Sequence, residues 1–338
     1  MTGLRVYALA AALAVSASSA SAQNGAQERA QDIRRIDSPI FADKVAKGEL
    51  PPIGERVPSD PRVVKVKIPG QHGGTMRVVF GRSKDTRIMV VYGYARLVTY
   101  DAEFNIQPDI LARVDVEHGR IFTLHLRKGH RWSDGHPFTA EDFRYWWEDI
   151  ANERALSPLG PAKQLVVAGE RAKVEFIDDH TIRYSWSSPN PHFLPALASA
   201  TPLYLYRPAH YLKKFHMRYA DPEKLAAMVK ESGRRNWAAL HNRRDNQYKN
   251  DNPKLPTLQP WVLQTKPPAQ RFLFDRNPYF HRVDQNGRQL PYTDRVAMGV
   301  AAAGVIPLKT GAGETDLQAR GIAFNNYTFL KEAEKREN

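Results

Sequence analysis

Residues 122–143 read FTLHLRKGHRWSDGHPFTAEDF, and their pattern predicts a strand, two turns and the start of a helix. Phe122, Leu124 and Leu126 alternate with polar residues, so one face of the strand is apolar. Gly129 and a later Asp-Gly pair supply the turns. Every polar residue of the stretch therefore has a structural role available, and we interpret the stretch as scaffold rather than as an active site.

The helix at the end of this stretch is predicted to begin at Ala140. Thr139 is the expected N-cap, and Asp142 completes a capping box with it. Phe138 and Phe143 stand where a hydrophobic staple forms across the cap. The helix continues as one apolar stripe that must pack on a core, made of Phe143, Trp146, Trp147 and Ile150.

Strand and helix signals alternate irregularly along the rest of the chain, which predicts a mixed α/β fold rather than a regular βαβ series. Alternating or β-branched segments predict strands at 63–68 and 75–80 and a hairpin within 173–186. Helices are predicted at 89–98, 208–214 and 222–232, the last with Asp221 as N-cap. Residues 233–260 are polar and predict irregular structure.

The stretch at 122–143 closely resembles the signature of the family 5 extracellular solute-binding proteins, the oligopeptide-, dipeptide- and nickel-binding components of ABC importers. Further segments resemble elements of the same family, in the same order along the chain. They are GGTMRV at 73–78, YD at 100–101, PDILA at 108–112, DHTIRY at 179–184, RNPYF at 276–280, LPYTDRV at 290–296 and GETDL at 313–317.

The resemblance implies an α/β fold of the periplasmic binding protein type (type II), with two lobes that close over a ligand by a hinge. By the family pattern, lobe I has its core sheet in residues 61–97 and 200–300, with an inserted subdomain in 98–199. Lobe II would start at 301 and run to 338. Proteins of the family continue well beyond the GETDL element, so we expect a truncated product or fragment in which lobe II is largely missing.

The resemblance also implies a function: the chain would bind peptide-like solutes by hinge closure and deliver them to the membrane subunits of an ABC permease. It would act as a monomer and would need no cofactor, no metal and no nucleic acid. Ligand contacts are expected in the loop after the first sheet strand and near the hinge. The candidates are Ser83, Lys84, Asp85, Thr86 and Arg87 in the loop, and Asn277, Tyr279 and Phe280 near the hinge.

Residues 1–22 predict a secretory signal peptide, with Arg5 before a short apolar run and a small-residue triplet ending at Ala22. Residues 23–60 carry several prolines and no sustained period, so we expect an exposed leader there. The chain has no cysteine, which excludes disulfides and a lipid anchor on an N-terminal cysteine. The prediction is a periplasmic protein that is exported by a cleaved signal peptide and is not lipid-anchored.

The chain is strongly basic, with a formal net charge of +13 that loses only the charge of Arg5 when the signal peptide is removed. A basic balance can indicate nucleic-acid binding, but the charges are spread along the sequence. Their densest cluster, made of Arg234, Arg235, Arg243 and Arg244, falls in the polar segment and favours a solvated loop.

No catalytic motif accompanies these features: the sequence has no G-x-S-x-G, H-E-x-x-H, P-loop or G-x-G-x-x-G, and it has no thiol. The neighbouring histidines favour surface or hydrogen-bonding roles over metal ligation, and Asp178 and Asp179 favour a hairpin turn over acid/base catalysis. We therefore predict that the chain is not an enzyme. Two alternatives remain, a basic chaperone-like interaction module and, with less support, a periplasmic hydrolase. The histidines are His118, His125, His130 and His136.

Overall fold

The structure, a computed structural model, describes residues 34–337. The predicted signal peptide at 1–22 lies outside the described residues, as does the beginning of the predicted leader. Between residues 34 and 337, no helix combines the length and the apolar character that crossing a bilayer requires.

The strands of the described chain are short and interleaved with helices, as the mixed pattern predicts. They are β1 (Arg62–Val64), β2 (Thr75–Phe80), β3 (Val98–Tyr100), β4 (Ile106–Pro108), β5 (Leu111–Glu117), β6 (Ile121–Leu126), β7 (Val166–Val167), β8 (Glu170–Arg171), β9 (Lys173–Asp178), β10 (Thr181–Ser185), β11 (Trp261–Leu263), β12 (Arg271–Arg276), β13 (Arg282–Asp284) and β14 (Arg295–Val300).

The α-helices are mostly one to three turns long. They are α1 (Ala42–Ala46), α2 (Ile53–Arg56), α3 (Ile88–Gly93), α4 (Ala140–Arg144), α5 (Phe193–Ala198), α6 (Ala209–Leu212), α7 (Pro222–Glu231), α8 (Trp237–Arg244), α9 (Ile306–Gly311) and α10 (Tyr327–Glu337). A π-helical segment, Tyr145–Ala151, continues α4, and a 3-10 helix, Ser83–Arg87, precedes α3.

One four-stranded sheet has the order β11-β12-β14-β2 and combines a strand from residues 75–80 with three strands from residues 261–300. β2 and β14 are parallel, with Val78 opposite Met298, while the other neighbours are antiparallel. The buried residues of this sheet pack against Ile88 and Met89 of α3. Because the two parallel strands run in the same direction, their carboxyl ends lie at one edge of the sheet.

A second four-stranded sheet has the order β5-β6-β10-β9 and is antiparallel throughout. Leu124 of β6 lies opposite Ile182 of β10, and both are fully buried. The core on this sheet also takes residues from 205–258, including Leu212 and Leu240. Helices between residues 209 and 244 therefore pack with the second sheet.

The stretch at 122–143 folds as predicted at its helix start. Thr139 Oγ1 accepts the Glu141 N–H (3.3 Å), and Asp142 Oδ2 accepts the Thr139 N–H (3.1 Å). The Phe138 and Phe143 rings lie 5.6 Å apart across the cap. The capping box and staple are confirmed, and the stretch forms part of the second core.

Residues 34–60 combine many exposed positions with a few buried ones that anchor the segment. Phe41 and Leu50 are buried in a small apolar cluster. Arg56 has no exposed surface, and its guanidinium donates to the carbonyl of Pro278 (2.7 Å). The prolines therefore mark turns between short packed helices, and a buried arginine anchors the segment to the rest of the protein.

Residues 233–260 correct a prediction, because they contain helix α8 rather than only irregular chain. The Asn236 side chain caps the helix by accepting the Ala239 N–H (2.9 Å). Ala238, Leu240 and His241 are its buried residues. The helix lacks a strong apolar stripe because one of its buried positions is a histidine, so the periodic signal is weak.

Candidate functional site

The carboxyl ends of the parallel strands β2 and β14 form an edge at which open α/β sheets commonly bind ligands. β2 ends at Phe80 and β14 at Val300, and the Ala301 N–H donates to the Phe80 carbonyl (3.0 Å). Directly after β2 the chain forms the 3-10 helix Ser83–Arg87. Five of the predicted ligand-binding residues thus lie together at this edge.

Hydrogen bonds on both sides hold the 3-10 helix in place. Ser83 Oγ donates to the carbonyl of Ala269 (3.1 Å), in the loop before β12. Thr86 is fully buried, and its Oγ1 donates to the carbonyl of Lys249 (3.1 Å). Asn250 Nδ2 donates in return to the Thr86 carbonyl (3.4 Å). The segment is therefore fixed rather than free, as a preorganised binding loop requires.

Within this segment, residues differ in what they offer a ligand. Lys84 is exposed, and Ser83 and Arg87 are partly exposed. Asp85 is nearly buried, with Oδ1 3.8 Å from a terminal nitrogen of Arg87. Lys84 and Arg87 can therefore contact a solute, whereas Thr86 and Asp85 chiefly shape the segment.

Arg96 fixes helix α3 behind the loop. Its side chain is almost fully buried, and burial lowers its pKa. The guanidinium donates to the carbonyls of Val90 (3.1 Å), Ser199 (3.0 Å) and Ala200 (2.8 Å). Because these carbonyl oxygens replace water as hydrogen-bond acceptors for the charged guanidinium, a buried arginine is tolerated here.

A polar pocket of about 250 Å³ has Tyr248 in its wall, the residue before Lys249, whose carbonyl accepts the hydrogen bond from Thr86 of the loop. The walls come from α8, from the turn that follows it and from the extended segment before α6. Aromatic, amide and charged side chains line the pocket: Tyr204, Arg207, Asn242, Asp245, Asn246, Gln247 and Tyr248.

The two charged residues of the pocket neutralise each other. Arg207 Nε lies 2.5 Å from Asp245 Oδ1. Burial raises the pKa of Asp245 to about 6, and the charge of Arg207 opposes that rise. Gln247 Nε2 is buried and has no hydrogen-bond partner among the described residues. The pocket is thus polar and nearly neutral overall.

The outer edge of β2 is already occupied by residues 316–318, in the GETDL element and just after it. Gln318 Oε1 accepts the Val79 N–H (3.1 Å), and Gln318 Nε2 donates to the Val79 carbonyl (2.7 Å). Asp316 Oδ2 accepts the Arg77 N–H (2.6 Å). Residues 316–318 therefore satisfy backbone groups on the outer edge of β2, the strand that leads into the loop.

The second predicted group, Asn277, Tyr279 and Phe280, lies in packed surroundings. Asn277 has no exposed surface; its Nδ2 donates to the Gln259 carbonyl (2.9 Å) and its Oδ1 accepts the Tyr279 N–H (2.9 Å). Phe280 belongs to the core of the second sheet, and Tyr279 packs in the small cluster with Phe41. In the part of the chain that the structure describes, no hydrogen bond or ion pair joins this group to the Ser83–Arg87 loop.

Of the histidines and acidic residues considered from the sequence, His125, His130 and Asp178 contact neighbouring side chains or backbone groups. His125 Nε2 lies 2.8 Å from Asp115 Oδ2, and the His130 ring packs 4.8 Å from that of His281. Asp178 Oδ1 accepts the His180 N–H in the hairpin turn (2.7 Å). Among residues 34–337, no group of three or more histidine and acidic side chains is arranged to hold a metal ion.

Residues 105–335 match the family model for bacterial extracellular solute-binding proteins, family 5 middle. The match covers more than half of the chain. The chain belongs to family 5. The resemblance drawn from the motifs is thereby confirmed.

Among family 5 relatives, a periplasmic alpha-galactoside-binding protein of Rhizobium meliloti is 29% identical across 317 aligned positions, which cover 86% of this chain and 42% of that protein. A periplasmic oligopeptide-binding protein of Salmonella typhimurium is 29% identical over 140 residues, 37% of this chain and 25% of that protein.

Two solved structures show the same fold. An oligopeptide-binding protein has a TM-score of 0.79 and 35% identity, over 89% of this chain and 48% of that one. The Agrobacterium fabrum periplasmic binding protein MelB, in complex with stachyose, has a TM-score of 0.65 and 27% identity, over 84% of this chain and 44% of that one. The chain has the α/β fold of periplasmic binding proteins and spans about half the length of the relatives it matches.

Sequence reasoning missed most of the pocket residues, because Asn242 to Tyr248 lie at the end of helix α8 and just after it, in a segment interpreted as a solvated loop. The signal that could have found them is compositional. Residues 242–248 read NRRDNQY and combine three carboxamides with a tyrosine, side chains that recognise polar ligands when a fold holds them together.

Proposed function

We propose that the chain binds a small solute at the carboxyl ends of β2 and β14 and serves as the binding component of an ABC importer. The observation that supports the proposal is the anchored loop Ser83–Arg87, which follows β2 at the carboxyl ends of the parallel strands, where open α/β sheets commonly bind ligands. Membership of family 5 supports the same function. The chain would hand its solute to membrane permease subunits and catalyse no reaction.

Two ligand classes enter the proposal through the relatives. Oligopeptide-binding proteins of the family support a peptide-like solute, which is our leading assignment. The alpha-galactoside-binding relative, which aligns over most of this chain, supports an oligosaccharide as the second. Both classes suit a site that combines exposed cations at the loop with amides and tyrosines in the pocket.

The working cycle that we propose has two lobes closing over the solute by a hinge. The core sheet of the first lobe would use residues from 61–97 and 200–300, with 98–199 inserted as a subdomain and 301–338 opening the second lobe. The signal peptide at 1–22 would direct export to the periplasm and would then be cleaved. The mature protein would act there as a monomer without a lipid anchor.

Solute binding can be tested by mass spectrometry of compounds that copurify with the full chain, followed by calorimetric titration of each. Lys84→Ala and Arg87→Ala should each weaken binding of the identified solute several-fold, because each removes a cation from the loop. Lys163→Ala, which removes an exposed lysine outside the site, is the matched control. If no copurifying or tested solute binds, or if the control weakens binding as much as the loop variants do, the proposal fails.

A further inference from the structure

We infer that Asn250 is a positioning residue for solute binding, because it fixes one end of the Ser83–Arg87 loop. The inference rests on the proposed function and adds a residue that would act on the solute through the loop rather than by contact. Thr86 Oγ1 donates to the carbonyl of Lys249 (3.1 Å), and Asn250 Nδ2 donates to the Thr86 carbonyl (3.4 Å). Two consecutive residues, distant in sequence, thus hold one fully buried residue of the loop.

The backbone of Asn250 has a left-handed conformation that directs the Lys249 carbonyl. Its φ is 49°. Because φ sets the direction of the peptide plane that precedes a residue, this angle also sets where the Lys249 oxygen points. Asparagine tolerates the left-handed region better than most residues do, whereas a β-branched side chain is strongly disfavoured there. Asparagine at position 250 therefore suits both the backbone geometry and the carboxamide contact with Thr86.

The segment around Asn250 is held on its other side, so it can serve as a fixed support for the loop. Asn252 Nδ2 donates to the hydroxyl of Tyr211 and to the carbonyl of Arg244, each at 3.1 Å. Tyr211 belongs to α6 and is buried in the core on the second sheet, and Arg244 is the last residue of α8. The support is therefore tied to two helices that do not belong to the loop.

The loop is anchored near both ends, and its cations lie beside these anchors. Ser83 Oγ holds the first end by its hydrogen bond to the loop before β12, and Thr86 holds the second end. Lys84 lies between the anchors, and Arg87 directly follows the second one. If the second anchor is released, the loop samples other positions, and the apparent affinity falls with the fraction of molecules that keep the binding position. Asn250 would thereby change solute binding without touching the solute.

Hydrogen-exchange mass spectrometry of the full chain tests the anchor directly. Asn250→Val should make peptides that cover residues 82–88 exchange about tenfold faster, because valine resists the left-handed conformation. Asn250→Gly accepts that conformation and loses only the longer hydrogen bond, so its exchange should stay within about threefold of that of the original chain. His118→Val is the matched control: it changes an exposed residue with a φ of 53° in the turn between β5 and β6, and it should leave residues 82–88 unchanged.

Calorimetric titration with trialanine, a zwitterionic tripeptide, then tests whether the anchor matters for binding. Asn250→Val should weaken binding about tenfold, and Asn250→Gly should weaken it much less. In a chain that also carries Lys84→Ala and Arg87→Ala, Asn250→Val should cause little further loss, because the loop cations through which it acts are gone. A residue that supports only the overall fold would lower the affinity equally in both backgrounds.

Unchanged exchange at residues 82–88 in Asn250→Val would overturn the inference, and so would faster exchange with unchanged affinity for trialanine. Equal losses of affinity in the two backgrounds would overturn it as well, because Asn250 would then act elsewhere. If the original chain binds neither trialanine nor any copurifying solute, the proposed function fails, whereas the exchange data still decide whether Asn250 fixes the loop.

Circular dichroism checks that each variant is folded. If Asn250→Val does not fold, Thr86→Val replaces it as the variant that releases the anchor, because it removes the hydroxyl at nearly constant size. Thr86→Ser keeps the hydroxyl and should retain the slow exchange of the original chain. Equal exchange of residues 82–88 in Thr86→Val and Thr86→Ser would then overturn the inference.

Discussion

Asp109 is a buried carboxylate at which distant segments of the chain meet. Its oxygens accept hydrogen bonds from the backbone N–H of Arg96 (3.0 Å), from His281 Nε2 (3.0 Å) and from the Arg282 guanidinium (2.8 and 2.6 Å). Burial alone would raise the pKa of Asp109, but the charge of Arg282 and the hydrogen bonds hold it well below its usual range. The PDILA element therefore supplies the carboxylate of a buried cluster of charged and hydrogen-bonded groups.

His281 gives this junction a pH dependence that can be measured. Burial lowers the pKa of His281 to about 4, so the folded protein keeps the ring neutral while the unfolded chain takes up a proton near pH 6.5. Its contribution to stability is therefore complete above about pH 6.5 and is lost as the pH falls toward 4. The groups that face the ring are Asp109, Arg282, Arg127 and His130.

His281→Gln keeps a neutral donor for Asp109 and removes the titration. Between pH 7 and pH 5, the variant should lose about 1–2 kcal/mol less of its free energy of unfolding than the original chain loses. Urea unfolding at both pH values measures this. His192→Gln, at an exposed histidine, is the control, and equal pH dependence of the original chain and His281→Gln would contradict the prediction.

At the residue scale, sequence reasoning succeeded where partners are close in the chain. Thr139 and Asp142 are three residues apart, so their capping box follows from local geometry. Tyr248 and Gln247 line the pocket only because distant segments fold against their turn, and no local pattern signals that. Ligand contact by Asn277, which the structure buries, stays a prediction for the same reason, because ligand contacts depend on loops that are distant in sequence.

At the element scale, the helix that follows the cap changes geometry. Residues Tyr145–Ala151 form a π-helix, whose wider turn shifts the buried face from the one predicted at regular helical spacing. Tyr145 is fully buried although it lies outside the predicted apolar stripe, and its hydroxyl lies 2.8 Å from His241 Nε2. Trp146 is buried, whereas Trp147 is only partly covered.

These positions predict unequal effects of truncating the two tryptophans. Trp146→Ala should lower the free energy of unfolding by roughly 3–5 kcal/mol, because it leaves a cavity in the core of the second sheet. Trp147→Ala should cost clearly less, since water already reaches part of its ring. Urea denaturation of both variants gives the comparison, and a larger loss for Trp147→Ala would mean that the π-helical register is wrong.

The ends of helices and strands were predictable where the spacing of apolar residues and the turn or capping residues mark the same boundary. The strand at 75–80 and the cap at Asp221 appear as predicted. The alternation at 63–68 gives only β1, because that strand pairs with β13 over three residues and Ile68 beyond it is 86% exposed. Alternation shows that a strand is possible, but only a pairing partner, set by tertiary structure, makes one.

At the scale of the whole molecule, the segment at 316–318 joins parts of the chain that are far apart in sequence. Asp316 and Gln318 occupy the outer edge of β2, which would otherwise expose unpaired backbone groups. The Arg77–Asp316 ion pair is exposed and contributes little by itself. The two hydrogen bonds from Gln318 to the backbone of Val79 therefore matter more, because they imitate a neighbouring strand.

Gln318→Ala should free the edge of β2 just before the Ser83–Arg87 loop. We expect the free energy of unfolding to fall by about 1–2 kcal/mol, the value of two backbone hydrogen bonds, and the amide of Val79 to exchange with solvent faster than in the original chain. An uncovered edge can also pair with a second molecule, so the variant should self-associate more at high concentration.

Hydrogen-exchange mass spectrometry and sedimentation velocity measure these effects. Gln264→Ala is the matched control, because it removes an exposed amide that is bonded only within its own segment. Unchanged exchange in residues 77–80 would show that β2 holds its place without this cover, and the segment at 316–318 would then have no part in fixing the loop that follows the strand.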